Sequence, residues 1–183
     1  MTPQTELPLR QKILVTLTVV TGLFIIVAYY TASMSWSALQ LMILCYGVAV
    51  PVALFIQNTL VDLDNNDIFR IWMIIGAIFL GIYILSRGNT TVTGPFTQAH
   101  IEQETYKEFV KRSTTVLKAL PTFLLCYWLL NRLLKKRTGK FIVNTFFQFK
   151  WYNNAAQRPI EGNDVLINLI LFMVITAASI TKF

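Results

Sequence analysis

The sequence predicts an all-α membrane protein, a polytopic transmembrane helix bundle with four to five spans. Three observations predict it. The first is composition: 55% of the 183 residues are hydrophobic and 14% are charged, whereas a soluble domain averages about 45–50% and about 25%. The second is run length. A hydrocarbon core about 30 Å thick needs about 20 apolar residues as a helix, and residues 13–30, 38–60, 68–85 and 114–134 meet that requirement, with a shorter run at 165–180. The third is that these runs are apolar on every side, where transmembrane strands alternate apolar and polar residues. In lipid each backbone N–H and C=O needs a partner within its own segment, which a helix provides.

The first run, 13–30, is longer than the apolar stretch of about 7–15 residues in a signal peptide, and no small-residue cleavage site follows it; it is expected to be retained as a span. The second contains Pro51 and ends in Gln57 and Asn58. The fourth carries Lys118 near its start and Pro121 one turn in. Both prolines are expected to make ordinary kinks, which membrane helices tolerate. The fifth run holds Asn168 and is either a short span or an interfacial helix. Small residues four apart (Thr18 and Gly22, Ala49 and Ala53, Ala77 and Gly81) mark faces where helix backbones approach closely, within a tightly packed bundle or between the copies of an oligomer. One compact membrane domain covering 1–183 is expected for this length.

Two connections stand out. Residues 86–113 form a polar outer loop, in which 97–118 reads as a charged amphipathic helix that continues into the fourth span and projects from the membrane. Residues 135–164 form an inner loop that is basic and aromatic: Lys135, Lys136, Arg137 and Lys140 precede Phe147, Phe149 and Trp151. Aromatic rings beside positive charge suit the headgroup zone of an anionic leaflet, and they also suit a docking surface for a partner subunit. The alternation of Phe147, Phe149 and Trp151 with polar residues allows a short strand.

Charge sets sidedness. With five spans, Arg10, Lys12, Arg70, Arg132, Lys135, Lys136, Arg137, Lys140, Lys150 and Arg158 share one side. Arg87, Lys107, Lys111, Arg112, Lys118 and Lys182 share the other. The excess predicts a cytoplasmic or matrix-side N-terminus. Tyr29, Tyr30 and Trp36 are expected in one interfacial belt, Trp72 and Trp128 in the other. Asn89 begins an N-x-T sequon on the outer side. The net charge of +7 follows from basic loops; no folded basic module is visible, so nucleic acid is not an expected partner.

Candidate chemistry is sparse. Asp62, Asp64 and Asn66 alternate like the start of a calcium loop, but Asp67 stands where a glycine is needed and Met73 where the bidentate glutamate belongs. The acidic residues are therefore expected to cap the third helix. Asp62, Asp64 and Asp67 remain weak metal candidates, since a lipid-acting enzyme would hold magnesium at such a membrane-edge loop. His100 is the only histidine, which excludes bis-histidine haem and His-rich zinc sites within one chain. Cys45 and Cys126 each fall inside an apolar run, where a thiol acts as a small hydrophobe, and no disulfide is expected. No span carries a central Asp or Glu of the kind ion-coupled transporters use. Lys118 lies close enough to the outer end to snorkel.

These absences lead to an expected non-catalytic role, as an accessory or assembly subunit of a larger membrane complex, with membrane lipids and other subunits or further copies as partners and no cofactor. One alternative is a homo-oligomeric pore or membrane-perturbing effector, using Thr16, Thr18 and Thr21 or Gln57 and Asn58 as its polar stripe. A second is the metal-dependent lipid-acting enzyme centred on Asp62, Asp64 and Asp67.

Overall fold

The computed structural model describes residues 7–55, 59–88, 114–145, 152–153 and 158–181, and the side chains among them except at 86–88 and 152–153. The sequon at Asn89, His100, most of the projecting segment, and Phe147, Phe149 and Trp151 lie outside the described residues.

The chain is an all-α bundle. Its first helix, α1 (Leu9–Thr31), starts after Pro8, whose carbonyl accepts from the Gln11 and Lys12 amides. It ends at Ala32, held in the left-handed region at φ 49°. α2 (Trp36–Phe55) is capped by Ser35, whose carbonyl accepts from Leu39 N and whose hydroxyl lies 3.4 Å from Ala38 N. Within α2, Pro51 has no N–H to offer the carbonyl of Gly47. A one-turn helix, α3 (Thr59–Asp62), leads to α4 (Asn66–Gly88). A 3₁₀ turn (Thr114–Lys118) runs into α5 (Ala119–Thr138). α5 stops at Gly139, whose φ of 70° suits glycine and whose amide closes onto the Lys135 carbonyl. Residues 140–145, outside any helix or strand, and a two-residue antiparallel pair, β1 (Tyr152–Asn153) with β2 (Arg158–Pro159), precede α6 (Gly162–Ile180).

Four of these helices, α1, α2, α4 and α6, are long and apolar enough to cross a membrane. Run 165–180, marginal as a sequence, becomes the 19-residue α6 because a reciprocal cap between Glu161 and Asp164 starts the helix earlier. Run 114–134 resolves differently. Its first five residues are 3₁₀, and any 18 consecutive residues of α5 contain at least three of Arg132, Lys135, Lys136 and Arg137. α5 packs one face against α2, α4 and α6 and leaves Leu125, Trp128, Leu129 and Leu133 exposed on the other.

The core is centred on Leu54, Phe55, Trp72, Leu120, Phe123, Leu124, Tyr127 and Leu171, all buried. Glycine permits two close approaches. A methyl group at Gly47 would lie 2.4 Å from Val116 of the 3₁₀ turn, and one at Gly76 would lie 3.1 Å from Leu124 of α5. The small residues divide between inward and outward faces. Ala49 and Ala77 face outward, and a methyl at Gly81 would meet nothing within 4 Å. Thr18 and Gly22 both meet α2, through the Tyr46 hydroxyl.

The start of α5 also departs from expectation. Thr114, Thr115, Val116, Leu117 and Lys118 are all buried, packed among α2, α4 and α6 rather than projecting. Lys118 does not snorkel. It is 6% exposed, its ammonium donates to the Thr181 carbonyl at the end of α6, and it sits 5.8 Å from the Tyr83 ring centroid. A cation at a helix C-terminus is favourable, and this one joins α4, α5 and α6.

Candidate functional site

Among the described residues, the ion pairs gather at the end opposite Lys118. The start of α1, the α2–α3–α4 connection, the end of α5 and the start of α6 meet there, joined by Arg10–Asp62, Asp64–Lys135, Lys140–Glu161 and Arg158–Asp164 ion pairs. We term this the basic end.

Its first cluster anchors α1. Gln11, the third residue of a helix that is mostly apolar beyond its first turn, is fully buried. Its Oε1 accepts from Trp72 Nε1 at 2.9 Å, and its Nε2 donates to Asp62 Oδ2 at 3.0 Å. Arg10 donates to both oxygens of the same carboxylate. Trp72 is therefore wholly internal instead of lying in a lipid-facing belt: its indole N–H has a partner inside the protein, as a buried indole requires.

The second cluster surrounds Asp64, whose Oδ1 accepts from Asn131 at 2.8 Å and from Lys135. Asn131 uses its own Oδ1 to accept from the Ile142 amide at 3.0 Å. Nearby carbonyls are also engaged. The Tyr127 hydroxyl donates to Leu60 O at 3.2 Å, and the Thr59 hydroxyl reaches the carbonyls of Ala53 and Leu54.

The third cluster holds the segment after α5. Ile142, Val143 and Asn144 have no exposed surface, although they belong to no helix or strand. Irregular backbone buried among membrane helices needs side-chain partners, and they are present. Asn168 donates to Val143 O and Asp164 O, each at 2.7 Å, and lies 3.4 Å from the Thr145 amide. Arg158 donates to Phe141 O at 2.9 Å and grips Asp164 through two bonds of 2.8 and 2.7 Å. Asn144 donates to the Phe55 carbonyl at the end of α2. Residues 142–144 were expected to face lipid headgroups or a partner; the structure buries them at the basic end, between the end of α2 and the start of α6.

The carboxylates do not assemble a metal centre. Asp62 belongs to the Arg10–Gln11 cluster and Asp64 to the Asn131–Lys135 cluster. Asp67 is exposed, 3.6 Å from Arg70 in its own helix. Among the described residues no three His, Cys, Asp or Glu side chains converge. The side-chain cap of α4 is Asn65, whose Oδ1 accepts from the Asp67 amide at 2.9 Å; Asp67 contributes its charge to the first turn. Of the basic loop, Lys135 and Lys140 are paired with Asp64 and Glu161, while Lys136 and Arg137 are exposed in the last turn of α5. Cys45 is exposed and Cys126 half-buried, and both are free thiols.

A cleft of about 230 Å³ opens beside the second cluster, lined in part by Asp64, Asn66, Trp128, Asn131, Arg132 and Lys135. A second, apolar slot of about 260 Å³ lies at membrane depth between α1, α2 and α4, with Thr18, Gly22, Tyr46 and Phe79 in its wall. Gln11, Asn131, Arg158 and Asp164 had no assigned role in the sequence. The available signal was a polar side chain inside or beside an apolar run, which demands a buried partner without naming it.

The chain matches no protein-family model, no curated protein and no solved structure.

Proposed function

We propose that this chain is a non-catalytic subunit of a larger membrane assembly, with α1 as the helix that meets a membrane helix of a neighbouring polypeptide. The observation that carries the reading is the unequal covering of the spans. Only 11% of the apolar window of α1 is buried within this chain, against 28–33% for the other three. Helix α1 holds to the rest by its first turn, by Tyr46 and by a small cluster around Ala28 and Leu39. Its outward residues Leu17, Val20, Phe24 and Val27 are all at least half exposed.

The polar chemistry supports the same reading. The carboxylates and amides of the basic end are joined to cations or backbone groups of the same fold, as expected of fastening rather than turnover. A pore reading has less support: Thr18 is buried and bonded to the Leu14 carbonyl, so Thr16, Thr18 and Thr21 do not make a water-facing stripe; Gln57 and Asn58 lie outside the described residues. The basic end is proposed to face the cytoplasm or matrix, following the excess of Lys and Arg on that side.

The test is extraction of the tagged protein from its native membrane directly into lipid nanodiscs, followed by mass and composition. Co-extraction of a different membrane polypeptide at fixed stoichiometry is expected. A lone chain, or a ring of identical copies, overturns the subunit reading, and the ring favours the pore.

A further inference from the structure

We infer that the cleft between the start of α4 and the last two turns of α5 is a binding site for the phosphate of an anionic glycerophospholipid. Three observations point to this ligand. The first is charge. The cleft wall carries Arg132, Lys135 and Asp64; Lys135 and Asp64 neutralise each other. Arg132 is exposed, and among the described residues no carboxylate lies within ion-pair distance of it; its recorded contact is the Trp128 ring, 5.4 Å from the guanidinium carbon to the centroid. One surplus positive charge matches a phosphodiester, which carries one negative charge. Guanidinium presents paired N–H donors to two phosphate oxygens, a geometry that ammonium lacks.

The second observation is size. At about 230 Å³ the cleft is below the roughly 300 Å³ at which pockets begin to enclose whole drug-sized ligands. It suits a headgroup fragment whose remaining mass lies outside.

The third is what lies beside it. Trp128 is one turn deeper on α5 than Arg132, about 6 Å at 1.5 Å per residue. Leu125 lies about a turn deeper again, Leu129 flanks the indole, and all three are about half exposed. A phosphate on Arg132 thus has an interfacial indole next to it and an apolar strip below it for the acyl chains. That order, cation then tryptophan then aliphatic surface, follows the order of layers in a leaflet. The amides of Asn131 and the carboxylate of Asp64 are already bonded to each other, so the attraction rests on Arg132, with Lys135 and Asn66 at the sides. The site does not depend on the subunit reading; either survives failure of the other.

The experiment is native mass spectrometry of the protein released from nanodiscs of phosphatidylcholine containing a minor fraction of phosphatidylglycerol. Wild type is expected to retain phosphatidylglycerol in preference to phosphatidylcholine. Arg132→Gln is expected to lower that retention about five-fold, the factor for one cation near an anionic surface. Arg137→Gln, more than a turn further along α5 and outside the cleft, is expected to leave most of it. Equal retention in wild type and Arg132→Gln overturns the site, and so does equal loss in both variants, which marks diffuse surface charge. In a parallel arm, inorganic phosphate is added to lipid-stripped protein. Saturable phosphate binding lost in Arg132→Gln, without phosphatidylglycerol retention, overturns the lipid assignment in favour of a free anion. Circular dichroism of each variant shows whether the helices are intact.

Discussion

Helix α1 is about as apolar as α4 and α6, yet it and the α4–α5–α6 unit are held by different means. The α4–α5–α6 unit is fastened at both ends. Lys118 joins it at one end, and Arg158, Asp164, Asn168 and Asn131 tie the non-helical segment after α5 to it at the other. Helix α1 is fastened chiefly at its first turn, through Arg10 and Gln11, with one further hydrogen bond at mid-membrane from the Tyr46 hydroxyl to Thr18 O. The difference teaches how packing is specified without water. Apolar surface against lipid costs little, so hydrophobicity selects the membrane but not the neighbour. The neighbour is selected by the few polar groups that need a partner.

The comparison is broken most directly at Arg158. Replacing it by Met leaves Asp164 buried at 2% exposure without its bidentate partner. Loss of one member of a buried pair costs about 3–5 kcal/mol, so steric-trap unfolding in bicelles should show a drop of that size, with partial recovery in R158M/D164L. A smaller loss is expected for Asn168→Leu, which removes the partner of Val143 O. An orphaned buried group costs about 1–3 kcal/mol; amide hydrogen exchange at 142–145 should accelerate, while α1 stays protected. If exchange in α1 rises equally, the two regions are one cooperative unit and the contrast fails.

Tyr46→Phe sharpens the other side of the comparison. It removes a 2.6 Å bond to Thr18 O, and the expected loss is about 0.5–1.5 kcal/mol, read as a small fall in stability with unchanged exchange in α5 and α6. Phe24→Ala should have the least effect. Phe24 is 51% exposed on the outer face of α1, so the isolated chain is expected to change by at most about 0.5 kcal/mol, whereas co-extraction of the neighbouring polypeptide should fall.

Much of the fold is legible as a sequence because it follows from run length: α1, α2 and α4 appear close to their predicted positions. The α5 and α6 assignments exchange status for a reason that run length does not register. The positive charges of α5 lie in its last turns, inside the helix, while the cap that lengthens α6 comes from Glu161 and Asp164 acting together. The candidate site is less legible. Asp62 and Asp64 read as one acidic loop, yet their partners Gln11 and Asn131 lie 51 and 67 residues away. Nothing in local pattern couples residues so distant. Residues 141–145 fail similarly: an aromatic segment after a basic run looks interfacial until Asn168 and Arg158 are known to satisfy its backbone.

The most direct measurement is photocrosslinking in the native membrane from p-benzoylphenylalanine placed at Phe24 of α1 and, separately, at Leu125 of α5. We expect Phe24 to capture a second, different polypeptide and Leu125 to capture lipid. Lipid adducts alone from both positions would contradict a protein neighbour for α1. A crosslink from Phe24 into α5 or α6 of the same chain would contradict the peripheral placement on which the comparison rests.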